Sequence, residues 1–317
     1  MSDLSGDKKI IAVVGATGQQ GGGVARAILD DPDGGFVVRA LTRNTGSDAA
    51  KALAARGAEV VAADLDDEAS VLAALDGAYG AYFVTAFWEY NDTAREQAQA
   101  RNMANAAKAA GLRHVVWSTL PDTRDHVGDD ERVPTLQGTY KVPHFDSKAE
   151  ADRFFTEAGV PTTFLSTTFY FESFLEFFPP KRGEDGKLAL ALPMRDRLLS
   201  GIAVDDIGRT AYAIFQRGTE LVGETISVAG ENLTGAEYAE RFTKEFGEEV
   251  VYQAFDVEAL RASGAPGADD LANMFFYYAE HDAFFAGARD PEFVRTLNPR
   301  LQDFATWLAA HHDDFTF

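Results

Sequence analysis

The chain contains no cysteine. That excludes disulfides, a thiolate nucleophile and Cys-ligated zinc. Long apolar runs are missing as well: no stretch of about 18 consecutive apolar residues occurs, which argues against a transmembrane helix. Basic residues are scarce beside acidic ones, 29 Lys and Arg against 50 Asp and Glu, for a formal net charge of -21. Holding nucleic acid by its phosphates needs clustered Lys and Arg, so no nucleic-acid partner is expected. The residues from Met1 to Lys9 are polar and lack the apolar segment and small-residue cleavage site of a secretory signal. The expectation is a cytoplasmic protein with no membrane partner. The acid excess fits a high-salt cytoplasm, where a Debye length of roughly 3 Å at about 1 M salt mutes self-repulsion. It equally fits an acidic mesophilic protein rich in Ala and Arg.

What the chain does have is enough apolar material, 46% of 317 residues, for a sizeable core. Its first half alternates short β-branched runs with helical stretches, the pattern of a parallel sheet with crossover helices. Strands are expected at Ile10–Val14, Phe36–Thr42, Glu59–Ala63, Tyr79–Thr85, His114–Ser118 and Thr162–Ser166, with helices between them. Ile10–Val14 is almost wholly apolar, as a central strand buried on both faces requires. Further on, Gly183-Glu184-Asp185-Gly186-Lys187 reads as a turn between two short strands. The fold class that follows is α/β, a doubly wound Rossmann sheet with a smaller C-terminal α/β lobe. Residues 1–166 are expected to form the nucleotide-binding domain, with 200–230 returning to it; 167–199 and 231–317 are expected to form the lobe over its crevice. Ligands of such sheets bind outside the carboxyl ends of the strands.

Gly15, Gly18 and Gly21 stand between the first strand and the first helix. Gly15 permits the tight turn, Gly18 lets the backbone approach a pyrophosphate, and Gly21 lets the helix pack close to the sheet. Phosphates at that helix N-terminus face free N–H groups and the positive end of the dipole. The residue after the second strand sets cofactor preference. A site for NAD usually places Asp or Glu there for the ribose 2′-hydroxyl. This chain has Thr42-Arg43-Asn44, and the planar fork of Arg43 suits a 2′-phosphate, which points to NADP(H). Arg39 is a weaker second candidate. His311-His312 reads as a solvated helix end and not as a metal site, so no metal is expected. The aromatic run Phe169-Tyr170-Phe171 with Phe174, Phe177 and Phe178 suits either core or pocket lining.

Several further stretches resemble the NmrA-like proteins, atypical members of the short-chain dehydrogenase/reductase superfamily. They are Gly15-Ala16-Thr17-Gly18 with Gln20-Gly21, Thr42-Arg43-Asn44, Asp64 with Asp66-Asp67, Val84-Thr85 with Trp88-Glu89, His144-Phe145-Asp146-Ser147-Lys148, and Asp270 to Phe275. The resemblance spans essentially the whole chain. It implies NADP(H) binding with Thr17, Gln19 and Gln20 in the pyrophosphate loop and Arg43 on the 2′-phosphate. Asp64 and Leu65 would lie beside the adenine; Thr85, Ala86 and Phe87 would line the path to the nicotinamide; and Lys148 would reach the nicotinamide ribose.

One departure bears on activity. Superfamily dehydrogenases carry Tyr-x-x-x-Lys, in which the ammonium lowers the tyrosine pKa for proton transfer. Four residues before Lys148 stands His144, and Tyr140 is eight before it. Ser118 ends the fifth strand where the superfamily serine stands. His144 either substitutes as the acid, since imidazole titrates near neutrality, or packs at the helix start, which is the reading preferred here. The missing tyrosine favours an NADP(H)-responsive redox sensor or regulator with a protein partner. The alternative is an NADPH-dependent reductase acting on a quinone or another small-molecule conjugated carbonyl, where the cofactor supplies the hydride and the protein orients both reactants.

Overall fold

The computed structural model describes residues 8–317, and they fall into two compact units. The first takes the chain up to Leu120, then Ser147–Ser166 and Ile207–Ile226; the second takes Pro121–Asp146, Thr167–Asp206 and Ser227–Phe317.

The first unit is a seven-stranded sheet with flanking helices. In chain order its elements begin with β1 (Lys9–Val14), α1 (Gln19–Leu29), β2 (Phe36–Thr42), α2 (Asp48–Ala55), β3 (Glu59–Ala62), α3 (Glu68–Ala74) and β4 (Gly80–Phe83). They continue through α4 (Phe87–Tyr90), α5 (Thr93–Ala109) and β5 (His114–Thr119). A short helix, α6 (Arg124–Val127), intervenes in the second unit before α7 (Pro143–Ala158) and β6 (Thr162–Ser166). Across the sheet the order is strand Thr225–Ser227, then β6, β5, β4, β1, β2, β3, and neighbours from β6 to β3 pair parallel. The chain runs outward from β1 through β2 to β3, then returns to place β4 on the other side of β1. The strand order therefore reverses between β1 and β4, and the segments after Val14 and Phe83 leave the sheet side by side at the point where doubly wound folds take their ligands.

Burial explains why this segment is a sheet. Ile11 to Val14 are all buried, as are all four residues of β4 and all six of β5. Trp117, Phe83 and Phe155 are fully buried and in contact, the Trp117 and Phe155 rings lying 4.9 Å apart. Removing such an aromatic side chain costs about 3–5 kcal/mol in a packed core. The helices start on polar caps: Ser47, Asp67 and Asp92 accept from backbone N–H groups at the starts of α2, α3 and α5.

The second unit holds two three-stranded sheets and most of the remaining helices. Leu198–Ile202 pairs antiparallel with Glu231–Thr234 and parallel with Phe169–Tyr170. Leu188–Leu192 pairs parallel with Val250–Ala254 and antiparallel with Lys181–Arg182, the latter across the turn expected at Gly183–Lys187. Strands 198–202, 231–234 and 250–254 carry weak period-two signals in their sequences and emerge only in the fold. Phe171 and Phe174 belong to a packed aromatic cluster with Tyr238, Phe242, Phe304 and Trp307, whereas Phe177 is exposed.

Residues 121–146 cluster with this second unit, although the sequence placed them within the nucleotide-binding domain. Two polar side chains account for it. The buried Asp146 carboxylate accepts from the Thr123 N–H and hydroxyl and from the N–H groups of Lys141 and Val142, at 2.7–3.0 Å. Burial outweighs these bonds and pushes the Asp146 carboxyl above the usual carboxylate range. The buried Asn273 amide donates to the carbonyls of Pro134 (2.9 Å) and Lys141. Among the described residues no helix is long and apolar enough to cross a membrane.

Candidate functional site

The turn after β1 is the starting point. Gly15 has φ of +64°, a left-handed conformation that an L side chain strains to adopt, and its carbonyl accepts from the Gly18 N–H at 2.8 Å. Gly18 caps α1 without any side-chain bond, and the first turn of α1 carries no carboxylate. A Cβ on Gly21 would lie 2.3 Å from the Val14 carbonyl oxygen, so only glycine lets α1 seat against the end of β1. Thr17, Gly18 and Gln19 are exposed beside this helix end. The turn thus fits a dinucleotide pyrophosphate: close backbone, a positive dipole end and no competing acid.

Gln20 faces inward, and its amide oxygen accepts from the hydroxyls of Tyr82 and Ser118, the latter at 2.7 Å. Ser118 is buried and joins β5 to α1. Sequence position made this hydroxyl a weak catalytic candidate; in the fold it donates to Gln20.

The segment after β2 carries Arg43, whose side chain is 58% exposed. Its guanidinium meets Glu89 at 2.7 Å and donates to the Tyr90 hydroxyl, both from α4. The Glu89 hydrogen bond is the main reason the guanidinium is held above its ordinary pKa. Tyr90 is also the platform for Arg95, whose guanidinium carbon lies 3.4 Å from the ring centroid. Arg95 pairs with Asp66, which also accepts from Gln99 at 2.8 Å; the Arg95 hydrogen bond leads in lowering the Asp66 pKa. Asp64 is exposed and organises its own turn through the Asp66 N–H, while Leu65 is half-buried with its carbonyl held by Asn102. Arg39 is engaged elsewhere, by Glu59 and the carbonyls of Ala74 and Asp76. It does not join Arg43.

Thr85, Ala86 and Phe87 follow β4, and the structure brings Thr85 to Lys148. Lys148 is 7% exposed, and its ammonium bonds the Thr85 hydroxyl at 2.5 Å, the Thr85 carbonyl at 3.3 Å and the Glu96 carboxylate. The Thr85 hydroxyl donates to the same Glu96 oxygen at 2.6 Å, and the Ser147 hydroxyl donates to the other. Glu96 is 2% exposed, in the first turn of α5, where the helix dipole favours an anion. Phe87 is buried against Trp88, and Ala86 is exposed as the residue preceding α4. Glu96 escaped the sequence reading, and Ser147 entered it only as part of the stretch from His144 to Lys148. The available signal was physical: a lysine that the fold buries requires a counter-charge.

His144, in the first turn of α7, belongs to the second unit. It is buried, its ring Nδ1 lies 2.7 Å from an Asp270 oxygen, and its backbone N–H donates to the other oxygen at 3.3 Å. At the C-terminus His311 and His312 bond the Trp307 carbonyl and Glu245, and among the described residues no cluster of His, Asp and Glu could hold a metal.

A parallel sheet with its order reversing between β1 and β4, and a glycine turn at that point, define a Rossmann-type α/β protein. More particularly, the chain belongs to the NmrA-like family, whose pattern it matches over residues 7–308. It is 29% identical to the NmrA-like family domain-containing oxidoreductase FrzB of Cladobotryum sp over 288 residues, 84% of this chain and 83% of that one. Among solved structures, the NADPH-dependent quinone oxidoreductase QOR2 of Escherichia coli complexed with NADPH aligns with a TM-score of 0.74 at 25% identity, covering 96% of this chain and 99% of that one. The negative transcriptional regulator NmrA in complex with NADP aligns with a TM-score of 0.76 at 22% identity, covering 95% and 94%.

Proposed function

We propose that this chain binds NADP(H) in its first unit and acts as an NADPH-dependent reductase of quinone-type or other conjugated-carbonyl acceptors. The observation that carries the binding is the pairing of an acid-free glycine turn on α1 with an arginine, Arg43, where an NAD site usually holds an acid. Gly15 to Gly21 take the pyrophosphate, Arg43 takes the 2′-phosphate, Asp64 and Leu65 flank the adenine, and Lys148 bonds the nicotinamide ribose. The likeness to oxidoreductases over most of the chain favours an enzyme.

The bound cofactor supplies a hydride. The residues of this chain bind and orient it, and none of those around Lys148 stands as a tyrosine acid. A quinone needs one further proton to become the hydroquinone, and water can deliver it, so this acceptor class suits the site. Simple ketones and aldehydes, which need a proton donor at the carbonyl oxygen, do not. NADPH oxidation followed at 340 nm should therefore begin on adding 1,4-benzoquinone and stay at background with simple ketones and aldehydes. Steady turnover of aldehydes that vanishes in His144→Ala would overturn this and make His144 the acid.

A second reading, a redox sensor with a regulatory protein partner, is favoured by one observation: Ser118, Lys148 and His144 all have internal hydrogen-bond partners. It expects no turnover with any quinone, together with different hydrogen-exchange protection under NADPH and NADP.

A further inference from the structure

Lys148 has three ammonium protons and three bonds: to Glu96, to the Thr85 hydroxyl and to the Thr85 carbonyl. The bonds are unequal. The Thr85 hydroxyl lies at 2.5 Å and the carbonyl at 3.3 Å, and Glu96 is the one anion in the set. Glu96 is itself braced: one oxygen takes the Thr85 hydroxyl proton and the other takes the Ser147 hydroxyl proton. Its side chain is 1% exposed and that of Lys148 is 9% exposed. A lone buried charge of either sign is strongly disfavoured, so the two must stay together. α5 supplies the acid, the segment after β4 supplies Thr85, and α7 supplies both Ser147 and Lys148. Three parts of one unit therefore converge on one ammonium.

We propose that Glu96 is a positioning residue for cofactor binding: it anchors and aims the Lys148 ammonium, leaving the weak bond to the Thr85 carbonyl as the one exchanged for a nicotinamide-ribose hydroxyl. Thr85 and Ser147 brace Glu96 rather than meet the cofactor through it. The inference rests on the reading of Lys148 as a ribose ligand given above. It adds a residue that neither motif nor spacing marks, and it gives the buried charge pair a directional purpose beyond neutralisation. An ammonium held on one side by a fixed carboxylate presents its third proton in one direction, and pre-aimed donors of this kind lose less freedom on binding.

The test compares two ligands in four proteins by calorimetric titration. NADPH carries the nicotinamide ribose; adenosine 2′,5′-bisphosphate carries only the adenosine half. The proteins are the unaltered chain, Glu96→Gln, Lys148→Met and the double variant. Glu96→Gln and Lys148→Met should each weaken NADPH about tenfold, the double variant should be no weaker than Lys148→Met, and adenosine 2′,5′-bisphosphate should bind all four alike. If Glu96→Gln costs the same NADPH affinity in the Lys148→Met background as in the unaltered chain, its role is merely structural and the inference is overturned. So would it be by a loss shared with adenosine 2′,5′-bisphosphate, or by no loss at all in Glu96→Gln while Lys148→Met loses affinity. If Lys148→Met itself binds NADPH normally, the ribose-ligand reading fails, and the inference with it. Should Glu96→Gln not fold, Ser147→Ala removes one brace and should give a smaller loss, about threefold, again confined to NADPH; an unchanged affinity there would count against the inference.

Discussion

Arg43 and Lys148 are both cations held by a glutamate, in opposite surroundings. The Arg43 and Glu89 side chains are 58% and 40% exposed, while those of Lys148 and Glu96 are 9% and 1% exposed. Water screens the first pair, so it contributes on the order of 0–1 kcal/mol and exchanges partners readily. The second pair has no water to fall back on, and removing one member leaves a buried charge, at about 3–5 kcal/mol. On the proposed reading, the same chemistry would serve two ends of a dinucleotide differently: at the adenosine end a guanidinium would leave Glu89 for a phosphate dianion, and at the nicotinamide end an ammonium would stay fixed and offer direction.

The largest expected effect lies in the buried pair. Glu96→Ala strips Lys148 of its counter-charge and should lower unfolding free energy by about 3–5 kcal/mol in denaturant titration. A loss under about 1 kcal/mol would mean that water reaches the ammonium and that the two regions differ less than their burial suggests. Next comes Arg43→Ala. It should weaken NADPH about tenfold, the equivalent of about 1.4 kcal/mol, and leave NADH nearly unchanged. Equal losses for both cofactors would show that Arg43 does not read the 2′-phosphate.

A third prediction uses another acid of the first unit, Asp152 of α7, which accepts from the Trp117 ring N–H at 2.8 Å and the Thr119 hydroxyl at 2.7 Å. Burial raises its carboxyl to about 7. Since an unfolded Asp titrates near about 3.9, the folded chain retains a proton that the unfolded chain releases. The stability held below about pH 4 is therefore lost progressively as pH rises through 7. Asp152→Asn keeps the accepting oxygen and removes the titration. Its melting temperature should match the unaltered protein near pH 4 and exceed it by roughly a few degrees at pH 8; identical melting at both pH values would contradict the shift. The smallest effect belongs to the exposed pair. Glu89→Gln removes the anion that occupies Arg43 and should tighten NADPH a few-fold, measured by calorimetry, with adenosine 2′,5′-bisphosphate following it. Weaker binding would mean that Glu89 holds Arg43 in its receiving posture and does not compete with the phosphate.

Much of the first unit was legible in the sequence because its signals are local. Continuous apolar runs mark strands buried on both faces, and the glycine turn is prescribed by backbone sterics at Gly15 and Gly21. The turn at Gly183–Lys187 was legible for the same reason. The second unit was much less so. Strand Glu231–Thr234 contains Asn232 and Thr234 and becomes a strand by pairing with Leu198–Ile202, a long-range partner that no local pattern announces. In sequence, residues 128–138 look like a surface loop, and nothing there announces that Asp146 gathers four donors from Thr123, Lys141 and Val142 on either side of them.

At the site the division falls along the same line. Sequence alone determined the turn between β1 and α1, the arginine after β2, the absence of a tyrosine four residues before Lys148 and the kinship with NmrA-like proteins, because each depends on residues adjacent in the chain. Only the tertiary structure decided that Ser118 serves Gln20, that Glu89 occupies Arg43, and that Glu96 stands against Lys148. These partners lie 98, 46 and 52 residues apart. Which polar group meets which, and whether water stands between them, is set by how helices and strands stack, and the chain reveals that only once it has folded.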